Sequence, residues 1–369
     1  MNYLKNMNKT TRSNMVTYLM VIVAFVIVQG MITTGNISSS LKGQLVPICA
    51  YIVMAISLNL TVGVLGELSL GHAGFMSAGA FSGVVAAQCF SQNIDNPVLV
   101  LILAMIVGGI VAAIVGVLVG VPVLRLSGDY LAIVTLAFGE IIKGIVNNLF
   151  VGLDSAGLHF CMIKNTLEMG TDGKLLINGP MGLLGIPRIA TFVMGFVLVM
   201  VCLIVIFNLV NSKSGRAIMA LRDNKIAAQS VGINVTNYKL MAFVISAAMA
   251  GMAGVLFATN FSTVVAAKFD INTSILVLVF VVLGGLGNMR GSIIAATVLT
   301  VLPEMLREFS EYRMLVYAIV LILMMLATNN PTLKNAIDSF GSKVKGIFKK
   351  QQEKGENLYE KVFAYLHPH

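Results

Sequence analysis

From Pro97 to Val121 the chain reads PVLVLILAMIVGGIVAAIVGVLVGV, without one charged or amide side chain. An α-helix rises about 1.5 Å per residue, so a run of about 20 apolar residues crosses about 30 Å of hydrocarbon. Within such a helix every backbone polar group is satisfied, which lipid demands. Runs of this kind recur along the sequence. Charged residues make up only 11% of the 369 residues, against 57% hydrophobic ones, where a soluble domain carries about a quarter charged. Most of the exterior must therefore face something other than water. A transmembrane barrel would need short alternating strands, and these runs are too long and too continuously apolar.

The sequence thus predicts an all-α polytopic membrane protein of about ten transmembrane helices. The expected spans are Met15–Thr33, Gln44–Val62, Leu68–Phe90, Pro97–Val121, Asp129–Phe150, Arg188–Val210, Lys239–Thr259, Thr273–Met289, Gly291–Arg307 and Arg313–Thr328. The break at Gly63–Glu67 also reads as a kink inside one membrane-embedded unit. Lys5, Lys9 and Arg12 ahead of the first run resemble a signal-peptide start, but that run is long enough to span and no small-x-small cleavage site follows it. With the N-terminus inside, 17 of the 25 Lys and Arg fall on the cytoplasmic side, as the positive-inside rule requires. Both termini are then cytoplasmic. The N-terminal segment is 1–14, the membrane domain 15–328, and the tail 329–369 alternates apolar residues with lysines as a basic amphipathic helix on the anionic leaflet would. A plain solvated tail fits the tail's pattern equally well.

Two hydrophilic segments interrupt the spans. Residues 151–187, rich in Gly, Asp and Asn, form an external loop; residues 211–238 form a cytoplasmic segment carrying Lys213, Arg216, Arg222 and Lys225. The latter reads as two short helices, one starting near Ser214 and one at Asn224, with Gly232 ending the second. Small residues recur at every fourth position, as in Gly108, Ala112, Gly116 and Gly120, in Ser246, Ala250, Gly254 and Ala258, and in Gly79, Gly83 and Ala87. Helices in lipid lack a hydrophobic drive toward each other, so such faces bring backbones into contact.

No catalytic motif is present. There is no phosphate-binding loop of the GxxxxGK[ST] type, no HExxH, no GxSxG, and the four isolated cysteines and four histidines offer no metal-ligand spacing. No catalytic residue, metal or nucleic-acid partner is expected. Polar and glycine-rich breaks inside apolar runs are the candidate pathway instead. Gly66, Glu67, Gly71, His72 and Gly74 interrupt one, and Gly284, Gly285, Gly287 and Asn288 another. Non-helical backbone at membrane depth survives only where protein or a wet cavity surrounds it, and a half-helix N-terminus there can hold a carboxylate. A packing kink is the competing reading. The second break is a candidate for a second repeat; four-span repeats separated by one span would run in opposite orientation. Glu140 and Lys143, three apart on one helix, can pair and so lower the cost of charge in lipid, either at the interface or in the permeation path.

The stretch SGRAIMALRDNKIAAQSVGINVTNYKLMAFVISAAMAGMAGVLFA, Ser214 to Ala258, resembles the cytoplasmic signature of branched-chain amino acid ABC permeases of the LivM type. Arg216, Ala217, Ala220, Leu221, Arg222, Ala227, Ala228, Gly232 and Ile233 match it. GELSLGHAGFMSAGA at Gly66–Ala80, LSGDYLAIVTLAFGEI at Leu126–Ile141, GLLGIP at Gly182–Pro187 and VVLGGLGNMRGS at Val281–Ser292 follow in family order. Asn329–Leu333 departs from the family's usual ending, and the external loop is lengthened between Asp154 and Lys174, which bears on docking of a binding protein. The resemblance implies a ten-span importer fold in the bacterial inner membrane. It further implies a second permease of LivH type in a heterodimer, two ATPases that bind ATP and magnesium, and an extracytoplasmic binding protein delivering Leu, Ile or Val. The helix holding Arg216 and Arg222 would dock on an ATPase. Urea and short-amide importers share this family. A secondary transporter would need midplane carboxylates, and Glu140 is the only acidic residue deep in a span.

Overall fold

A computed structural model of the chain describes residues 9–35, 38–126, 128–154, 157–162, 173–305 and, beyond these, 318, 319 and 322. The described residues up to Met305 form one compact unit. Among them run α1 (Lys9–Thr33), α2 (Ser39–Asn59), α3 (His72–Phe90), α4 (Pro97–Val123), α5 (Asp129–Asn147), α6 (Phe192–Asn211), α7 (Lys213–Asp223), α8 (Lys225–Ser230), α9 (Val235–Ala258), α10 (Ile271–Gly284) and α11 (Met289–Met305). Eight helices among the described residues are long and apolar enough to cross a bilayer, and the protein is a multi-pass membrane protein. The ninth expected span corresponds to α11, which is shorter, 17 residues with Pro303 near its end. The tenth, Arg313–Thr328, and the tail fall almost wholly outside the described residues.

Helix starts follow local chemistry. Ser38, Asn96, Thr191, Ser212, Asn224, Asn234 and Asp270 each accept a hydrogen bond from a first-turn backbone N–H. Ser212 therefore caps α7, two residues before the expected Ser214, and Asn224 caps α8. Gly232 follows α8 with φ +88°, a left-handed conformation that closes the helix at no steric cost.

Helix α9 is the hub, packed along α3, α4 and α2. Of the expected small stripe, Gly254 meets α3, where a Cβ would sit 2.1 Å from the Met76 carbonyl oxygen, and beside the stripe a Cβ on Gly79 of α3 would sit 2.2 Å from the Gly251 Cα of α9, so these two backbones touch. The periphery is apolar on its outer side. Ile106, Ile110, Ile114 and Leu118 of α4 are exposed at four-residue spacing, as are Val193, Val197, Val201 and Val205 of α6, which is the lipid-facing pattern. Helix α1 is the most exposed, held through Phe25 stacked on Phe196 and Phe192, and Tyr18 edge-on to Phe207.

The expected external loop is not irregular throughout. It contains a three-stranded antiparallel sheet, β1 (Phe150–Asp154), β2 (Gly157–Cys161) and β3 (Lys174–Asn178), in the order β2-β1-β3 with a bulge at Val151/Gly152. The sheet caps one end of the bundle. Leu183 bridges to Val264, the Gln88 amide donates to the carbonyls of Leu184 and Gly185, and Arg188 donates to Ser262. The α7–α8 hairpin lies with the opposite helix ends, beside the end of α2 and the start of α9. Both glycine-rich breaks also fall at this α7 end and touch each other, whereas mates of one inverted repeat would lie at opposite ends; they are not such a pair.

Candidate functional site

At the α7 end, α2 does not stop cleanly. Its last turn widens into a π-helical turn, Leu60–Leu65, which Gly66 terminates in the left-handed conformation (φ +81°), with the Glu67 N–H donating to the Thr61 carbonyl at 3.1 Å. Such wide turns are frequent at functional positions. Gly66 to Gly71 then runs without regular structure until α3 begins at His72.

Each part of this break is held by another element. Helix α5 holds its far side: Thr135 Oγ1 accepts from the Leu70 N–H at 3.1 Å, and a Cβ on Gly71 would lie 1.9 Å from the Thr135 carbonyl oxygen. Gly74 similarly faces Gly139. His72 is buried, with Nε2 2.8 Å from Ser57 Oγ, while Ser246 Oγ donates to the Ser57 carbonyl at 2.6 Å. The Ala73 N–H donates to Ser274 Oγ at 3.0 Å, and the Gly74 N–H to the Gly71 carbonyl. The first turn of α3 thus spends these two donors on its own chain rather than offering them to a carboxylate.

The second break meets the first through a residue the sequence reading passed over. Asn59, fully buried, accepts from the Gly287 N–H at 2.8 Å and donates to Ser292 Oγ at 2.9 Å. A Cβ on Gly63 would sit 2.2 Å from that same Gly287 nitrogen. Gly285 and Gly287 both have positive φ, Gly284 lies against Gly291, and Asn288 accepts from Gly291 N–H at the start of α11. A cavity of about 170 Å³ beside them is lined by Asn14, Thr17, Asn211, Asn288 and Arg290 together with the apolar Val64, Phe207 and Val210, and Arg290 donates to Thr17.

The α7–α8 hairpin grips the first break. Arg222 donates from Nη1 to the Gly63 carbonyl at 3.1 Å, lays its stem over Gly66, where a Cβ would come within 2.6 Å of Arg222 Cγ, and also pairs with Asp223 at 3.0 Å. Glu67 forms an ion pair with Lys239 in the second turn of α9, and both side chains are largely buried. Among the matched residues, Leu221 and Ala228 turn inward, buried with Val235 and flanked by Ala220, Ile233 and Tyr238. They hold the hairpin together. Arg216, Ala227 and Gly232 face outward, Ala217 is half-buried, and Ile226 and Val231 are 79% and 76% exposed. Those two large apolar side chains on a basic hairpin were not singled out by sequence, although both stand in plain view among polar neighbours. Glu140 stands apart from this cluster, paired with Lys143 at 2.5 Å on the half-exposed face of α5.

Comparison with known proteins gives consistent results. The family described as branched-chain amino acid transport system, permease component, matches residues 40–327. The high-affinity branched-chain amino acid transport permease LivM of Salmonella typhimurium is 36% identical over 75% of this chain, and that of Escherichia coli 38% over the same share. The match covers 66% of the length of each of those relatives. A probable LivH permease of Methanocaldococcus jannaschii is 26% identical over half of this chain and 54% of its own length. No solved structure matches the chain.

Proposed function

This chain belongs to the family of branched-chain amino acid transport permease components, and on that premise we propose that it is one membrane subunit of an ATP-driven importer for Leu, Ile or Val. The contact that carries the reading is Arg222 to Gly63: a residue on the outward hairpin holds the backbone of a broken membrane helix. Force applied to α7–α8 therefore has a direct route into the bundle.

The α7 end is assigned to the cytoplasm, where Arg125, Lys213, Arg216, Arg222, Lys225 and Arg290 gather as the positive-inside rule favours. An ATPase docks there on Ile226, Ala227 and Val231, with Arg216 at the rim, an apolar centre ringed by charge. ATP and magnesium are bound by two such ATPases and not by this chain. The partner permease is of the LivH type, and an external binding protein delivers its cargo at the sheet end.

The test uses the complex purified from membranes and ATP-dependent uptake of radiolabelled leucine. Arg222→Glu should insert and assemble yet lose uptake. Uptake at the wild-type rate in that variant, or wild-type uptake that needs no hydrolysable ATP, would overturn the reading.

A further inference from the structure

The first break is held on both sides of its left-handed glycine. Arg222 reaches Gly63 from α7, and Lys239 reaches Glu67 from α9. Only Val64, Leu65 and Gly66 separate those grips. The two arms are also joined to each other: α8 leads through the Gly232 turn directly into α9, and Leu221, Ala228 and Val235 pack together across that turn. A displacement of the hairpin must therefore carry the start of α9 with it, and Lys239 lies one turn further on.

We propose that Glu67 and Lys239 are positioning residues for energy coupling: their ion pair transmits hairpin motion to the Gly66–Gly71 segment. From there it reaches α3 and, through Leu70 and Gly71, Thr135 of α5. This rests on the importer reading above. The side chains are 4% exposed for Lys239 and 13% for Glu67, so both charges have given up most of their water. A buried ion pair adds little stability over an apolar pair of the same shape, while losing one partner leaves an uncompensated charge. What the pair provides that an apolar contact does not is a directional tie between the second turn of α9 and the residue that follows Gly66. Arg222 alone cannot supply it. Arg222 is shared with Asp223 and holds the π-turn side of Gly66, while the pair holds the α3 side.

The experiment uses the full complex in proteoliposomes, with binding protein and leucine, and reads uptake and ATP hydrolysis separately. Glu67→Leu combined with Lys239→Met keeps the packing and removes the tie. We expect wild-type assembly, ATP hydrolysis within twofold of wild type, and leucine uptake reduced at least tenfold. The exchanged pair, Glu67→Lys with Lys239→Glu, should return uptake to within threefold of wild type. Uptake within twofold of wild type in the apolar pair makes the ion pair dispensable and overturns the proposal. An apolar pair that does not assemble marks a folding element and also overturns it, as does an exchanged pair that assembles but stays as inactive as the apolar one. Failure of the importer reading itself would show in the wild type, as leucine uptake indifferent to ATP.

Discussion

Gly71→Ala adds one methyl group at the tightest approach between the first break and α5. The new Cβ would lie 1.9 Å from the Thr135 carbonyl oxygen and 2.7 Å from its carbonyl carbon, both backbone atoms that no rotamer change can move. Ordinary contact is about 3.5 Å, so the two segments must part by roughly 1.5 Å. That displacement also breaks the 3.1 Å bond from Leu70 N–H to Thr135 Oγ1. Overpacking costs about 1–3 kcal/mol and the lost hydrogen bond about 1 kcal/mol, together about 2–4 kcal/mol. At about 2 °C per kcal/mol for a unit of this size, Tm in detergent should fall by about 4–8 °C. Uptake should fall at least tenfold, because α5 no longer follows the break. Gly144→Ala is the control, since nothing lies within 4 Å of its new Cβ on the same helix, and it should behave as wild type. A Gly71→Ala protein with unchanged Tm and uptake would mean that α3 and α5 do not meet at Thr135.

Asn59→Leu should lower Tm, because the fully buried Ser292 hydroxyl loses the Asn59 amide and the Gly287 N–H its acceptor, and a hydrogen bond lost at a buried group costs about 1–3 kcal/mol; an unshifted Tm would separate the two glycine breaks. Ile226→Glu combined with Val231→Glu, at positions 79% and 76% exposed, should leave Tm unchanged while ATPase subunits no longer co-purify; their continued recovery would place the docking surface elsewhere. Ile110→Lys, at an outward position 56% exposed in the middle of α4, should cost about 3 kcal/mol of membrane insertion in a translocon assay. Insertion equal to wild type would mean that this face does not meet lipid.

The spans were legible because length and apolarity are local properties, and the small-residue stripes likewise foretold which helix faces meet. The sheet was not, since Gly, Asp and Asn between residues 151 and 187 read as loop and strand pairing is set by partners distant in sequence. The glycine breaks could be located, but glycine has no side chain to announce its neighbour, so their mutual contact through Asn59 had no signal beyond one amide in an apolar run. Lys239 reads in the sequence only as the first residue of an apolar run, because its partner Glu67 lies 172 positions away. Leu221 and Ala228 show the reverse limit: a motif marks residues that matter without saying whether they face a partner or their own core.

Contact between α9 and α3 at Gly79 and Gly251 leaves no side chains to act as bearings. At that crossing the two rods have no slack for rolling or slipping, whereas at their α7 end the long side chains of Glu67 and Lys239 stand between them. Beside α3, an apolar cavity of about 690 Å³, bordered also by α4, α5 and the sheet, leaves the side chains that line it short of protein neighbours.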